Sequence, residues 1–210
     1  MAFAERRENG LVANRTLDQG KPNRFVFASA DVSLWYGWAL YQHYRITKDK
    51  ELVKTLMPVL IDIFNRFSAT TGDIKTDLDG LLDTSSPTEE YSWMDAKVGD
   101  LPITPRAGKA VELNALWYNF LATILYLDTE VQLEINERAN IKAVAELAKQ
   151  SMVKFWNEEK QCLFDVIEAR TPSGHSNKGN DDAIRPNQLL AVSLPFRAFS
   201  KPHERAILTI

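Results

Sequence analysis

The stretch Val111-Glu112-Leu113-Asn114-Ala115-Leu116-Trp117-Tyr118-Asn119-Phe120-Leu121-Ala122-Thr123-Ile124-Leu125 decides the fold class. Its apolar side chains at Leu113, Leu116, Trp117, Phe120, Leu121, Ile124 and Leu125 recur every three or four residues, the period of one helix face. The same period appears upstream. From Asp31 to Thr47 it is carried by Leu34, Trp35, Trp38, Tyr41 and Ile46, with Asp31 placed to cap the first turn. It returns at Leu52, Val53, Leu56, Val59, Leu60, Ile63, Phe64 and Phe67. Pro58 falls inside that run, and an interior proline removes a hydrogen bond, so a short turn and a restart near Pro58 are expected. Downstream, Ile141, Val144, Ala145, Ala148, Met152, Phe155 and Trp156 repeat the pattern. Cys162-Leu163-Phe164-Asp165-Val166-Ile167 reads as a short strand, and another helix is expected from Pro186 through Leu189, Leu190 and Val192. Helix pairs joined alternately by short and long connections predict an all-α architecture of helical hairpins with a small β element in the loops.

Between Thr70 and Lys109 the helical period disappears, punctuated by Gly72, Gly80, Gly99, Gly108, Pro87, Pro102 and Pro105. A connection of that length inside a helical domain is usually functional or disordered. Tyr91, Trp93, Met94, Leu101 and Ile103 make it too apolar for a disordered linker, so an ordered, site-forming loop is expected, with a hairpin near Asp79-Gly80. Residues 169–182 are turn formers and predict an exposed loop.

The 210 residues suit about one domain, and the net charge of −3 lacks the basic face of a nucleic-acid binder. No apolar stretch is long enough to span a membrane. A single cysteine, Cys162, forms no internal disulfide, and the first residues lack the apolar core of a signal peptide, so a cytoplasmic location is expected. His43, His175 and His203 have no ligand spacing; neither a metal nor a cofactor is expected.

Three segments mix polar with apolar residues in a way surface loops rarely do: Tyr91–Lys97, Thr104–Trp117 and Asp181–Gln188. Glycoside hydrolysis needs a carboxylic acid to protonate the leaving oxygen and a second carboxylate to activate water or attack. Asp95 stands beside Trp93 and Met94, which would raise its pKa, and near Lys97, which would lower it. A loop carboxylate paired to Lys97 is the plainer alternative. Glu112 equally suits a helix N-terminus, Arg185 a surface ion pair, and most of the five tryptophans core packing; Trp93, in the loop, favours a site.

At these same segments the chain resembles the amylo-α-1,6-glucosidase domain of glycogen debranching enzymes, in its prokaryotic form. The matching blocks are Asn14-Arg15, Asp31 to Trp35, Trp93-Met94-Asp95, Thr104-Pro105-Arg106 with Gly108, Val111-Glu112 with Asn114 to Tyr118, and Ile184 to Gln188. The resemblance implies an (α/α)6 toroid, of which residues 1–210 would be a central part, truncated at both ends and partnered by the remainder of the parent domain. It implies hydrolysis, with inversion, of the α-1,6-linked glucose at trimmed branch points of glycogen or a branched α-glucan. Asp95 then matches the general acid. Asp31, Trp35, Trp93, Arg106, Glu112, Asn114, Arg185 and Gln188 would bind the glucose. The general base would come from a segment beyond residue 210. The alternatives are a non-catalytic glucan-binding or interaction fragment, and an (α/α)6 glucosidase acting on another glucoside. A partial toroid leaves apolar helix faces uncovered, which predicts self-association or poor solubility.

Overall fold

Helix α3 (Val111–Val131) is buried around most of its circumference, and the other long helices pack on it. These are α1 (Asp31–Thr47), α2 (Lys50–Phe67) and α4 (Arg138–Ser151), followed by the short α5 (Leu190–Ser193) and α6 (Lys201–Ile207). The computed structural model describes residues 7–8, 10–16, 25–27, 29–69, 72–89, 91–170 and 179–210. Lys48 and Asp49 alone join α1 to α2, so these two helices form a hairpin, and α3 and α4 are likewise consecutive and in contact. Lys48 ends α1 in the left-handed conformation, and the Asp49 carboxylate caps α2 by accepting from the Leu52 amide at 2.9 Å.

Trp117 organises the core. Its indole stacks on Phe64 and Phe120 and meets Phe67 edge-on, while its N–H donates to the Gly80 carbonyl at 3.1 Å. One aromatic residue on α3 thereby joins α2 to the loop after it. Gly37 lets α1 approach α3 closely, since a Cβ there would lie 2.5 Å from the Phe120 ring.

Three expectations about the helices need correction. α2 runs through Pro58 without a break. Pro58 and Lys54, whose carbonyl loses its partner, are both exposed, so that carbonyl is not left in a dry interior and the helix continues. The buried face of α1 is Leu34, Gly37, Leu40 and Tyr44, whereas Trp38 and Ile46 face outward, so the apolar spacing there overstates the stripe. The segment from Pro186 is one 3-10 turn, Pro186–Leu189, followed by the single turn of α5.

The long loop is ordered over its described residues. Ile74–Thr76 pairs antiparallel with Leu82–Thr84 around Asp79-Gly80, and Lys97–Val98 pairs with Leu101–Pro102. Thr84 bridges to Gly108, and Lys109–Ala110 pairs with Val166–Ile167. A side chain at Gly108 would strike the carbonyls of Ile167 and Glu168, and its φ of 110° suits glycine alone. Cys162–Ile167 forms two two-residue strands, Cys162–Leu163 and Val166–Ile167, interrupted at Phe164 and Asp165. Most of the 169–182 loop, with His175, lies outside the described residues; its end is tied down where Asp181 bridges to Val166. Among the described residues no helix is long and apolar enough to cross a membrane.

Candidate active site

The N-terminal ends of α1 and α3 come together with the 91–95 loop and the 186–190 turn around a cavity of about 320 Å³. Asp31, Trp35, Trp93, Glu112, Leu116, Pro186, Asn187 and Leu190 line it. The Tyr91 carbonyl fixes the loop to α1 by accepting from the Ala30 amide at 2.9 Å. Asp31 is therefore the first residue of the helix rather than its cap, and its carboxylate accepts from the Ser29 hydroxyl. Burial pushes the Asp31 carboxyl up; the Ser29 hydroxyl and the amides of Val32 and Asp31 oppose that, and the charge of Asp95 adds to it.

Glu112 forms the opposite wall. It is fully buried, and Arg106 holds it with a two-pronged contact, Nε to Oε1 at 2.9 Å and Nη2 to Oε2. Burial raises the Glu112 pKa above the usual carboxylate range despite that guanidinium. The other end of the Arg106 fork reaches Asp165, whose carboxylate also accepts from Arg185 at 2.6 Å and from the Asn187 amide at 2.8 Å. Asn187 in turn accepts the Trp93 indole N–H at 3.0 Å. An aromatic side chain that is 57% exposed is thus held in one orientation at the cavity.

Of the residues expected to bind glucose, Asp31, Trp35, Trp93 and Glu112 meet at the cavity. Asp95 is exposed, two residues beyond Trp93 and close enough to Asp31 to act on its charge. The other four stand behind the lining. Arg106 is committed to two acids, and Arg185 to Asp165 and Asp181. Asn114 bonds both backbone groups of Leu82 and the Ala110 carbonyl, so it stitches the 82–84 strand to α3. The Gln188 carbonyl oxygen accepts from the Leu163 amide at 3.1 Å.

Asp165 and Asn187 belong to the site, and Asp165 escapes a reading by composition. Asn187 lies within the Ile184–Gln188 block, but Asp165 sits in an apolar run that reads as strand. An acid between Phe164 and Val166, in a segment too apolar for solvent, is the available clue.

A family model described as amylo-alpha-1,6-glucosidase matches residues 1–210. The chain belongs to the amylo-alpha-1,6-glucosidase family. Among solved structures, this member of the family is similar to a GH78 family rhamnosidase of Bacillus sp. GL1, with 15% sequence identity and a TM-score of 0.63. That likeness covers 86% of this chain and 17% of the rhamnosidase, and at this identity it concerns the fold alone. No curated protein matches the chain. Family membership makes glycoside hydrolysis the chemistry to weigh against the cavity, with its two carboxyl groups and two tryptophans.

Proposed function

We propose that this chain supplies the general acid and much of the glucose-binding wall of an inverting amylo-α-1,6-glucosidase acting on trimmed branches of an α-glucan. The observation that carries the reading is the convergence of Asp31, Trp35, Trp93 and Glu112, from three separate segments, on one cavity. Indole faces stack on the C–H faces of a pyranose, and Trp35 and Trp93 offer two of them. Carboxyl oxygens accept from sugar hydroxyls, which suits Asp31 and Glu112 at the cavity wall.

Asp95, exposed and two residues beyond Trp93, protonates the leaving glycosidic oxygen in this reading. A second carboxylate about 6.5–9.5 Å away activates water on the opposite face of the sugar. By the family resemblance, that base comes from a segment of the domain other than those lining this cavity. Arg106, Asn114, Arg185 and Gln188 serve the sugar through the residues they hold.

The test is glucose release from a phosphorylase limit dextrin carrying single-glucose branches, together with maltose binding followed by tryptophan fluorescence. The expected results are maltose binding that Trp93→Ala weakens, little or no release from this chain by itself, and, in a protein that also carries the base, release that Asp95→Asn lowers by about 10²-fold or more. A folded chain that binds no maltose, or an Asp95→Asn variant as fast as the parent, defeats the reading. Maltose binding without any release assigns this chain to glucan binding and the hydrolysis to a longer protein.

A further inference from the structure

Asp165 is linked to both walls of the cavity, to one through Asn187 and to the other through Arg106, without lining it. Its side chain is 2% exposed, deep behind the site. Oδ1 accepts from the Asn187 amide at 2.8 Å, and Asn187 passes its own oxygen to the Trp93 indole N–H at 3.0 Å. Oδ2 accepts from Arg106, the residue that grips Glu112 with its other two nitrogens, and from Arg185 at 2.6 Å. The backbone is enlisted as well. The Asp165 carbonyl accepts from the Val111 amide at 3.0 Å, taking the place of a side-chain cap on α3 immediately before Glu112.

We propose that Asp165 is the positioning residue of this site, holding the Trp93 platform through Asn187 with one carboxylate oxygen and Glu112 through Arg106 with the other. Its importance for sugar binding rests on the proposed glucosidase reading; the mechanical linkage does not. A carboxylate is required because every partner presents a donor, so both oxygens must accept. Asparagine has the same shape but only one accepting atom. Whichever way its amide turns, an N–H meets a donor on one side and a neutral oxygen replaces a charged one on the other, so one linkage opens and the other weakens.

Indole and arginine Nε N–H groups can be followed individually by 15N-edited NMR, with Trp117, bonded to Gly80, as an internal control for the fold. In Asp165→Asn, the Trp93 indole proton exchanges about tenfold faster, the Arg106 Nε resonance moves, and the Trp117 indole stays protected. In Asn187→Ser, Trp93 loosens in the same way while the Arg106 resonance stays in place. Trp93 exchange unchanged in Asp165→Asn overturns the proposal, and so does an unmoved Arg106 resonance. If Asp165→Asn fails to fold, Asn187→Ser decides: Trp93 loosened beside a protected Trp117 supports the relay, and an unchanged Trp93 overturns it. Maltose binding separates this proposal from the functional one. A parent chain that binds no maltose, with Trp93 still released by Asp165→Asn, removes the sugar reading and leaves the positioning role standing.

Discussion

Arg106 and Lys109 are three residues apart, both buried and both paired with acids, yet their surroundings differ. Arg106 lies between Glu112 and Asp165, and all three side chains are 1–2% exposed. Lys109 is 3% exposed, but the carboxylates of Asp77, Asp79 and Glu168 around it are 41%, 15% and 51% exposed. Glu112 on one side and Asp77 and Asp79 on the other respond in opposite directions. Burial lifts Glu112 despite its guanidinium. Asp77 is held below its ordinary value by the Leu78 amide and then Lys109, and in Asp79 the bonds from Lys154, Lys109 and the Leu81 amide outweigh burial. A cation can offset the desolvation of an acid that keeps part of its water. For Glu112, which keeps none, the guanidinium does not do so fully. The residue types fit these settings. A planar guanidinium spans two acids in a fixed arrangement beside the cavity, whereas an ammonium gathers three from any direction.

The sharpest way to break the contrast is to remove each cation. Arg106→Met leaves Glu112 and Asp165 buried with no charge between them, and an expected loss of about 3–5 kcal/mol follows. Arg106→Lys restores little of it, because one ammonium cannot reproduce the two-sided fork. Lys109→Met should lose less, about 1.5–3 kcal/mol, since Asp77 and Glu168 can turn back to water. Urea unfolding of the three variants checks the order. Equal losses for Arg106→Met and Lys109→Met would show that burial of the partner acids does not set the cost.

The same distinction explains what was legible in the sequence. Period revealed α1 to α4, because each long helix buries a face against its neighbours, whereas the cap expected at Asp31 is the first residue of its helix and the Asp49 cap of α2 carries no such period. Apolar spacing could not tell that Trp38 and Ile46 look outward, since a tryptophan on a helix scores alike on either face. The final helix α6 went unread although Ser200, which accepts from the His203 amide, precedes Pro202 and Glu204, a recognisable helix start. At the site, the loop and its aromatic and acidic residues stood out locally. Which polar groups face the cavity and which stand behind it depends on contacts such as Asn114 with Leu82, 32 positions apart, and Arg106 with Asp165, 59 apart. Spacing along the chain carries no trace of such pairings. Lys109 passed as one more polar residue for the same reason: its three acids come from two distant segments.

The finest probe of the comparison is acid titration of the Lys109 cluster. The folded pKa of Asp79 lies below its unfolded value, so the stability it supplies is complete above roughly pH 4. That stability is lost as pH falls through the folded value. Glu112 has the opposite sign: its pKa is raised, so its contribution is full below the unfolded value and is lost as pH rises through the folded one. Acid therefore loosens the Lys109 cluster while relieving the buried Glu112. Asp79→Asn keeps the shape of the turn but gives up its charged bonds to Lys109 at 3.0 Å and Lys154 at 2.6 Å. Its Tm should lie about 2–4 °C below that of the parent at pH 6, as a loss near 1 kcal/mol implies for a chain of this size. The gap should shrink as pH falls below roughly 4, because the parent then loses the same charge. Thermal unfolding of both proteins from pH 6 to pH 3 measures it. A gap that stays constant across that range would mean that Asp79 acts through the shape of its turn, and that the solvent-facing cluster is no more electrostatic in origin than the dry one beside the cavity.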